Sequence, residues 1–434
     1  MISPLEGRYK NSNSAEYAAS EKILGEDALI QHYLLIEKEY LIAISGLKDE
    51  NIIKSIKEIT ISIEEVEKEE LKTKHNIKAI VNIFKSKISE IDNTLAKYAH
   101  LGLTSSDVAE TAYSLRLKDF VQSIILPSTK ELLEAINTFV ILHNEVVKVS
   151  RTHGQIAVPI TAGFEFSKYS SRIFSSYITI VDLVYKLTGK LSGAVGSYTG
   201  TSIVVENPID LEIKLLKKLG LKRGIYATQI MNPEPTLRIM LELNILFTSI
   251  ANFADDLRNL QRTEIGEIKE LYDNNSQVGS STMPHKKNPW NSEHVKSLWK
   301  QFSPNCITWF QDAISDHQRD LTGSASGRFQ TEYLFGLFLA IKRMTSIVNS
   351  LALDKYSINN NIDRFSESIN SEEVYIRLTL EGKDGHEIVR KAILEGIPLD
   401  TLTETEICNI REKVKWAHHR AFSVVNQISE YFNG

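Results

Sequence analysis

Residues 236–261 read TLRIMLELNILFTSIANFADDLRNLQ, and this segment is the strongest sequence indicator of the architecture. Its apolar residues recur at the three- and four-residue spacing of an α-helix. They are Leu237, Met240, Leu241, Leu243, Phe247, Ile250, Ala251, Ala254 and Leu257. Because this apolar band is wide, we expect the helix to be buried on several sides, as in the middle of a helical bundle.

Other long helices are expected on both sides of this segment. Proline breaks helix interiors, and it is missing between Pro4 and Pro127, between Pro159 and Pro208, between Pro235 and Pro284, and between Pro304 and Pro398. Helical periodicity also fills residues 130–149, through Leu132, Leu133, Ile136, Phe139, Val140, His143 and Val147, and residues 335–353. Alternation typical of strands is scarce, with a weak strand candidate at 202–205. The sequence therefore predicts an all-α fold.

We divide the expected fold into three parts along the chain. Residues 1–105 form an N-terminal helical domain, and residues 356–434 form a smaller C-terminal helical domain. Residues 106–355 between them form a long central helical bundle. The segments that separate the helices contain the unusual polar residues, which makes these segments the candidate functional sites.

Composition excludes several classes of protein. The 434 residues include 50 basic and 55 acidic side chains, a balance that predicts no binding to nucleic acid or to an anionic membrane. The stretch richest in apolar residues, 237–253, is interrupted by Arg238, Glu242, Asn244 and Asn252, so that we expect no membrane span. With two cysteines far apart and no N-terminal apolar core, a cytoplasmic location is expected. No metal-binding motif is present, and no metal is predicted.

The first candidate site is the segment 279–289, GSSTMPHKKNP. It presents hydroxyls, the Lys286 ammonium and the Asn288 amide within a few residues of one another. Such donors suit a reaction in which negative charge develops on a carboxylate beside a carbon that loses its proton. A hydroxyl with a lowered pKa could take that proton. A surface turn between helices is the alternative interpretation, because Gly, Ser, Pro and Asn are turn residues.

Four further segments carry candidate residues, each with a plainer alternative. His153 in 151–155, RTHGQ, is able to exchange a proton near neutral pH, or is a histidine in a helix-end network. Thr104 and Ser105 in 100–107, HLGLTSSD, are able to bind a carboxylate, and they also suit a helix N-cap. Residues 319–328, RDLTGSASGR, suit an anionic ligand or an exposed basic turn. The pair Arg8 and Tyr9 carries no signal alone, although arginine suits a phosphate.

The segment GSSTMPHKKNP closely resembles the signature loop of the fumarase/aspartase superfamily. Members of that superfamily are helical homotetramers that release fumarate from succinyl-type substrates, and each of their active sites combines segments of three subunits. The PHK form of the loop is most similar to the branch that acts on succinylated purine nucleotides and their succinylated imidazole precursor. The resemblance implies this fold, this small-molecule substrate class, a homotetramer with shared active sites, and a reaction without a cofactor.

The resemblance also implies roles for individual residues. Ser280 is the implied base, His153 the general acid and Glu293 its acidic partner, while Lys286 and Asn288 stabilise the developing charge. Substrate binding is implied for Arg8, Tyr9, Lys74, His75, Asn76, Thr104, Ser105, Gln229, Arg319, Ser324 and Arg328. Asn76 departs from the family pattern, because it stands where a carboxylate is usual and an amide carries no charge.

Two other functions are compatible with the same motifs. One is a related lyase that releases fumarate from a different succinyl-type substrate, such as argininosuccinate. That substrate has no phosphate, so that it would have no use for Arg8 and Tyr9 together. The other is a structural member of the superfamily without activity, which the intact His153 and Lys286 argue against.

Overall fold

The computed structural model describes residues 3–271, 283, 285–404 and 406–434, and most of them are helical. The α-helices are α1 (Lys10–Ser12), α2 (Ser14–Leu24), α3 (Glu26–Ile44), α4 (Glu50–Glu58), α5 (Ile63–Thr73), α6 (Asn76–Ile91), α7 (Ser105–Phe120), α8 (Leu126–His143), α9 (Ala162–Val184), α10 (Pro208–Lys218), α11 (Glu234–Leu260), α12 (Trp290–Phe302), α13 (Asn305–Asp312), α14 (Ser324–Asn349), α15 (Lys355–Arg364), α16 (Ser371–Leu380), α17 (Gly385–Glu395), α18 (Ile410–Lys413) and α19 (Lys415–Asn433). The prediction of a mainly helical fold is confirmed.

Short strands form small two-stranded pairs between the helices. They are β1 (Val147–Thr152), β2 (Gln155–Thr161), β3 (Thr188–Gly189), β4 (Lys222–Arg223), β5 (Ile268–Glu270) and β6 (Leu351–Leu353). Strands β1 and β2 are antiparallel, β3 and β4 are parallel, and β5 and β6 are antiparallel.

The chain folds into two compact units, each assembled from separate segments. Unit 1 contains Met1–Ser128, Ser176–Ile245 and Lys300–Leu339. Unit 2 contains Thr129–Ser175, Leu246–Trp299 and Ala340–Gly434. The boundaries between the segments fall inside the long helices α8, α9, α11, α12 and α14. The domain limits at 105 and 355 stay a prediction.

Helix α11 confirms the interpretation of residues 236–261 as one long, largely buried helix. Its side chains at Leu243, Phe247 and Ile250 are completely buried, and those at Met240 and Leu257 almost so. By length and composition alone this helix is apolar enough to cross a membrane, but 56% of its most apolar window is buried inside the protein. Buried core helices often have this length and composition, so that these two features are weak evidence for a membrane span.

The core of unit 1 is built around helix α3. Its residues Leu34, Ile36 and Leu41 are buried. Helix α7, in which Val108 and Ala112 are also buried, packs against α3. Because α7 carries two predicted site residues at its first turn, this packing determines where they lie.

An aromatic series forms the core of unit 2. The rings of Phe139 in α8 and Phe166 in α9 are 4.7 Å apart, and Phe166 lies 5.6 Å from Phe253 in α11. Tyr169 stacks on Phe253 at 4.2 Å. These contacts fix α8, α9 and α11 relative to one another within the unit, and offset-stacked and edge-on pairs add stability beyond that of their buried area.

The helical interpretation of residues 130–149 is wrong at its C-terminal end. Helix α8 ends at His143, and Val147 begins strand β1. Asn144 ends the helix, since its side-chain oxygen accepts a hydrogen bond from Thr161 Oγ1 at 2.9 Å and its amide donates to the His418 carbonyl. The two β-branched valines at 147 and 149 then favour an extended chain.

Two other local predictions need correction. The strand candidate at 202–205 is a turn, because the backbone N–H groups of Val204 and Val205 both donate to the Thr201 carbonyl. The helix expected through 353 ends at Asn349, and Leu351–Leu353 pairs with β5. Turn formation at 201–205 and strand pairing at 351–353 therefore outweigh the local hydrophobic pattern on which the predictions were based.

Candidate active site

Thr104 and Ser105 lie at the N-terminus of helix α7, where Thr104 is the N-cap. Thr104 and Asp107 form a capping box, in which Asp107 Oδ2 accepts the Thr104 backbone N–H at 2.7 Å. The N-cap interpretation is therefore confirmed. The backbone N–H groups in the first turn of a helix form a favourable site for an anion.

Asp107 fixes this helix terminus to the segment 190–193. Its side chain is completely buried, and its Oδ1 accepts from Lys190 Nζ at 2.5 Å, from the Ser192 N–H at 2.9 Å and from the Gly193 N–H at 3.2 Å. Lys190 is also buried, with 1% of its side chain exposed. A buried charge needs such pairing, and here the pairing holds the Thr104 turn in one position.

Residues of helix α3 also contact the segment that leads into this turn. The Tyr40 hydroxyl donates to the Leu101 carbonyl at 2.7 Å. His100 has a positive φ of 58° and contacts the buried Glu37 carboxylate through Nδ1 at 2.5 Å. Burial raises the pKa of Tyr40 to about 12, so that the phenol stays protonated and remains a donor at neutral pH.

Gln229 lies in a tight loop beside helix α7. Ala227 and Met231 form a β-bridge across the loop, and the Thr228 N–H donates to the Ile230 carbonyl at 2.9 Å. The Gln229 side chain is half-buried. The loop is thus ordered by its own backbone, which presents the amide in a defined place.

Glu212 holds the chain segments around this loop. Its carboxylate accepts from the Leu191 N–H at 2.6 Å, from the Tyr198 hydroxyl at 2.5 Å and from Arg223 Nε at 2.8 Å. A cavity of about 60 Å³ beside this network is lined in part by Lys190, Ser192, Glu212, Arg223, Tyr226 and Met231.

Arg319 approaches α7 from the segment before helix α14. Its NH1 lies 3.5 Å from Glu110 Oε1. Ser324 is the first residue of α14, and Arg328 follows one turn later; both side chains are exposed. Unit 1 therefore brings Arg319 to the helix that carries Thr104 and Ser105.

The remaining predicted residues of unit 1 lie at helix ends. Arg8 and Tyr9 end a one-turn π-helix, Leu5–Tyr9, with Arg8 exposed and Tyr9 half-buried. Lys74 closes α5 with a left-handed φ of 55°, His75 is the N-cap of α6, and Asn76 is its first residue. These last three side chains are exposed and available to a ligand.

In unit 2, His153 occupies the tip of the β1–β2 hairpin. Thr152 pairs with Gln155, which leaves His153 and Gly154 as a two-residue turn. Both have positive φ, 54° and 76°, the pattern of a type I′ turn. The turn places the His153 imidazole at an exposed end of a rigid ribbon.

A buried ionic network anchors this hairpin. Lys148 and Arg151 of β1 both bind Glu267, with Lys148 Nζ at 2.8 Å and Arg151 NH2 at 2.8 Å, and Lys148 also contacts Glu165. Asn361 of α15 donates to Glu267 Oε1 at 2.9 Å. The network fixes the strand that leads to His153.

The described part of segment 279–289 leads into helix α12. Lys286 is exposed and Asn288 half-buried, and Gln261 Nε2 donates to the Lys287 carbonyl at 3.1 Å. Ser280 lies outside the described residues. Glu293 is exposed, with Oε1 3.9 Å from Arg258 Nε, and no hydrogen bond within the described chain joins it to His153. The pairing of Glu293 with His153 stays a prediction.

Comparison with known proteins places this chain in a family. The model of a lyase family matches residues 7–301. Adenylosuccinate lyase of Pyrococcus abyssi is 32% identical, covering 77% of this chain and 75% of its own length. Adenylosuccinate lyase of Archaeoglobus fulgidus is 29% identical, covering 91% and 87%. The chain belongs to this lyase family. The predicted resemblance to a lyase superfamily is therefore confirmed.

Solved structures show that this lyase shares a known fold. A 3-carboxy-cis,cis-muconate lactonizing enzyme from Pseudomonas putida superposes with a TM-score of 0.80 at 20% identity, covering 96% of this chain and 98% of its own. A fumarate lyase from Mesorhizobium sp. BNC1 gives a TM-score of 0.79 at 17% identity, covering 94% and 97%. The predicted fumarase/aspartase-like fold is confirmed.

Sequence analysis of this lyase overlooked the polar face of helix α7. Asp107, Glu110, Thr111 and Ser114 follow the i, i+3, i+4, i+7 spacing that places residues on one helix face. Thr111 Oγ1 exchanges hydrogen bonds with the Lys190 backbone at 2.9 and 3.0 Å. The sequence signal for this face was the recurrence of polar residues at the spacing at which a helix buries one face. Buried polar side chains need hydrogen-bond partners, so that such a pattern indicates polar contacts with other segments.

No metal site is found in the described residues. Among residues 3–271, 283, 285–404 and 406–434, no group of three or more His, Cys, Asp or Glu side chains is arranged to hold an ion. The absence of a metal and of a cofactor stays a prediction from the sequence.

Proposed function

We propose that the protein is an adenylosuccinate lyase, which cleaves adenylosuccinate to AMP and fumarate and SAICAR to AICAR and fumarate. The observation that carries the proposal is the similarity to adenylosuccinate lyases of archaea and bacteria over most of the chain. The complete set of predicted catalytic side chains, Ser280, Lys286, His153 and Glu293, supports it.

The proposed reaction is an elimination in two proton transfers. Ser280 takes the proton from the succinyl carbon beside the carboxylate, and Lys286 and Asn288 stabilise the charge that develops on that carboxylate. The bond between carbon and nitrogen then breaks, with its electron pair passing to the nitrogen. His153 donates a proton to that nitrogen, and fumarate leaves. Glu293 favours the protonated imidazole.

Substrate binding is assigned to the other predicted residues. Thr104 and Ser105 bind a succinyl carboxylate with the free N–H groups of the α7 terminus. Arg8 and Tyr9 bind the phosphate, for which the guanidinium fork provides two hydrogen bonds. Gln229, Arg319, Ser324, Arg328, Lys74, His75 and Asn76 complete the set.

The enzyme is proposed to act as a cytoplasmic homotetramer with active sites shared between subunits. His153 and Glu293 are both exposed, and Glu293 lies beside Arg258 and not beside His153. These positions support a site that other subunits complete. The balanced charge supports a role without nucleic acid or membrane.

Ser280→Ala tests the catalytic assignment. We expect kcat for adenylosuccinate to fall by about a hundredfold or more, with little change in KM, because a general base acts in the transition state and contributes little to ground-state binding. Circular dichroism and sedimentation confirm that the variant is folded. Turnover close to that of the unaltered protein would exclude Ser280 as the base.

A further inference from the structure

Glu110 is the point at which three predicted substrate-binding segments meet, although it lies outside the motifs that the sequence analysis selected. It lies on helix α7, one and a half turns after Ser105. From there its carboxylate reaches Arg319 on one side and the end of the Gln229 loop on the other. All of these residues lie in unit 1.

The contact with Arg319 uses only part of the guanidinium. Glu110 Oε1 lies 3.5 Å from NH1 of Arg319. Arginine carries five N–H donors in a rigid planar fork, so that the remaining donors stay available to an anionic ligand. The Glu110 carboxylate therefore orients the Arg319 guanidinium and leaves most of its N–H donors available.

The contact with the Gln229 loop is made through Met231. The Met231 backbone N–H faces the Glu110 carboxylate and lowers its pKa. The Met231 sulfur accepts from Ser114 Oγ, one turn further along α7, and from Thr188 Oγ1, both at 3.8 Å. Met231 is 5% exposed. The loop that presents Gln229 is therefore fixed to α7 at its last residue.

We propose that Glu110 is a positioning residue of the substrate site, which holds Arg319 and the Gln229 loop in the arrangement that the anionic substrate requires. This role rests on the proposed function. Burial raises the pKa of Glu110, while the charges of Arg319 and Lys190 oppose that rise. The ionised carboxylate would therefore be unfavourable at this position without the two cations. This is the behaviour of a charged group whose role is to interact with its ionic partners.

The test is a double-mutant cycle of Glu110→Gln and Arg319→Gln, with KM and kcat for adenylosuccinate measured for each variant. Glu110→Gln keeps an acceptor for Met231 but removes the charge facing Arg319. We expect its KM to rise about tenfold with kcat changed less. Because Glu110 acts through Arg319, the double variant should have the KM of Arg319→Gln alone, to within about twofold.

Asp119→Asn is the matched control. Asp119 lies at the end of the same helix, is half-exposed and pairs with His32 at 3.2 Å. Its loss removes one carboxylate charge from α7 and should leave KM unchanged. If Glu110→Gln does not fold, Glu110→Asp, which keeps the charge on a shorter side chain, replaces it in the cycle.

The outcomes separate this inference from the proposed function. The double variant could instead raise KM by the product of the two single effects while the unaltered protein turns over adenylosuccinate. That result would overturn the role of Glu110 and leave the proposed function intact. An unchanged KM in folded Glu110→Gln would also overturn that role. Absence of turnover in the unaltered, folded protein would instead refute the proposed function.

Discussion

At the scale of single residues, the buried carboxylate of Glu267 shows how charge secures the hairpin that carries His153. Glu267 is 2% exposed and binds Lys148, Arg151 and Asn361. Burial by itself would raise its pKa, but the hydrogen bond from Arg151 and the charges of Lys148 and Arg151 lower the pKa below its usual range. The ionised form is therefore the one that the fold stabilises.

Glu267→Gln should lower the free energy of unfolding by about 3–5 kcal/mol at pH 7, because it leaves the buried Lys148 ammonium partly uncompensated. A folded-state pKa below the unfolded value means that the Glu267 carboxylate stabilises the fold above about pH 4, and that this contribution is lost as the pH falls. Chemical denaturation between pH 3 and 7 measures this contribution. The free energy of unfolding of the variant should fall less steeply with decreasing pH than that of the unaltered protein.

Glu134→Gln provides the comparison for Glu267→Gln. Glu134 is exposed, and its ion pair with Lys130 at 3.9 Å lies on the surface of α8. Exposed pairs contribute about 0–1 kcal/mol. Equal losses of stability in the two variants would contradict the assignment of Glu267 as a buried anchor.

The sequence alone singled out His153 as a candidate catalytic residue, but it gave no indication of the role of Glu267. The motif RTHGQ is contiguous, so that its resemblance to a known segment is visible along the chain. Glu267 meets Arg151 across 116 positions, and no local pattern marks that pairing. Roles that depend on contacts between distant segments need the fold first.

At the scale of secondary-structure elements, the β1–β2 hairpin determines where His153 lies. A Cβ at Gly154 would meet no atom within 4 Å, so that the positive φ of 76° is the sole obstacle to a side chain. Gly154→Ala should lower the free energy of unfolding by about 1–2 kcal/mol. Because the turn also aims the imidazole, kcat should fall too.

Gly46→Ala is the matched variant for the hairpin turn. Gly46 has a φ of 66° after helix α3, a Cβ there would again meet no atom within 4 Å, and the residue is not among the predicted site residues. We expect a similar loss of stability with kcat preserved. If both variants lose kcat equally, the turn has no particular influence on His153.

The two capping boxes of the described chain separate stability from substrate binding. Thr104 and Asp107 cap α7, and Ser62 and Glu65 cap α5. Thr104→Ala and Ser62→Ala should each cost about 1 kcal/mol of stability. KM for adenylosuccinate should rise for Thr104→Ala alone. A KM unchanged in both would remove Thr104 from the substrate site.

Long helices were the elements that the sequence predicted best. The apolar band of α11 extends over many turns, and its signal accumulates with length. The hairpin was missed because its strands are short, and because the valines at 147 and 149 also fitted the helical pattern of the preceding segment. What determines it is pairing with residues 155–161, which the local sequence does not encode.

At the scale of the whole molecule, the candidate residues fall into two sets. Unit 1 carries the predicted carboxylate- and phosphate-binding residues, among them Thr104, Arg319 and Arg8, whereas unit 2 carries His153 and Lys286. The sequence predicted domains in chain order. Those domain limits stay a prediction. Each of the two units of the fold is built from three separated segments, whose boundaries fall inside long helices such as α11 and α14.

The proposed tetramer follows from completing each site with other subunits. Sedimentation velocity of the purified protein should give a species of four chains, and dilution below the association range should abolish turnover together with the tetramer. A monomer with full activity would contradict shared sites.

The most direct measurement is turnover of adenylosuccinate by the purified, folded protein, with fumarate and AMP quantified by proton NMR. We expect rapid, equimolar release of the two products, and no fumarate from argininosuccinate under the same conditions. Release of fumarate from argininosuccinate, with none from adenylosuccinate, would show that the protein is not an adenylosuccinate lyase.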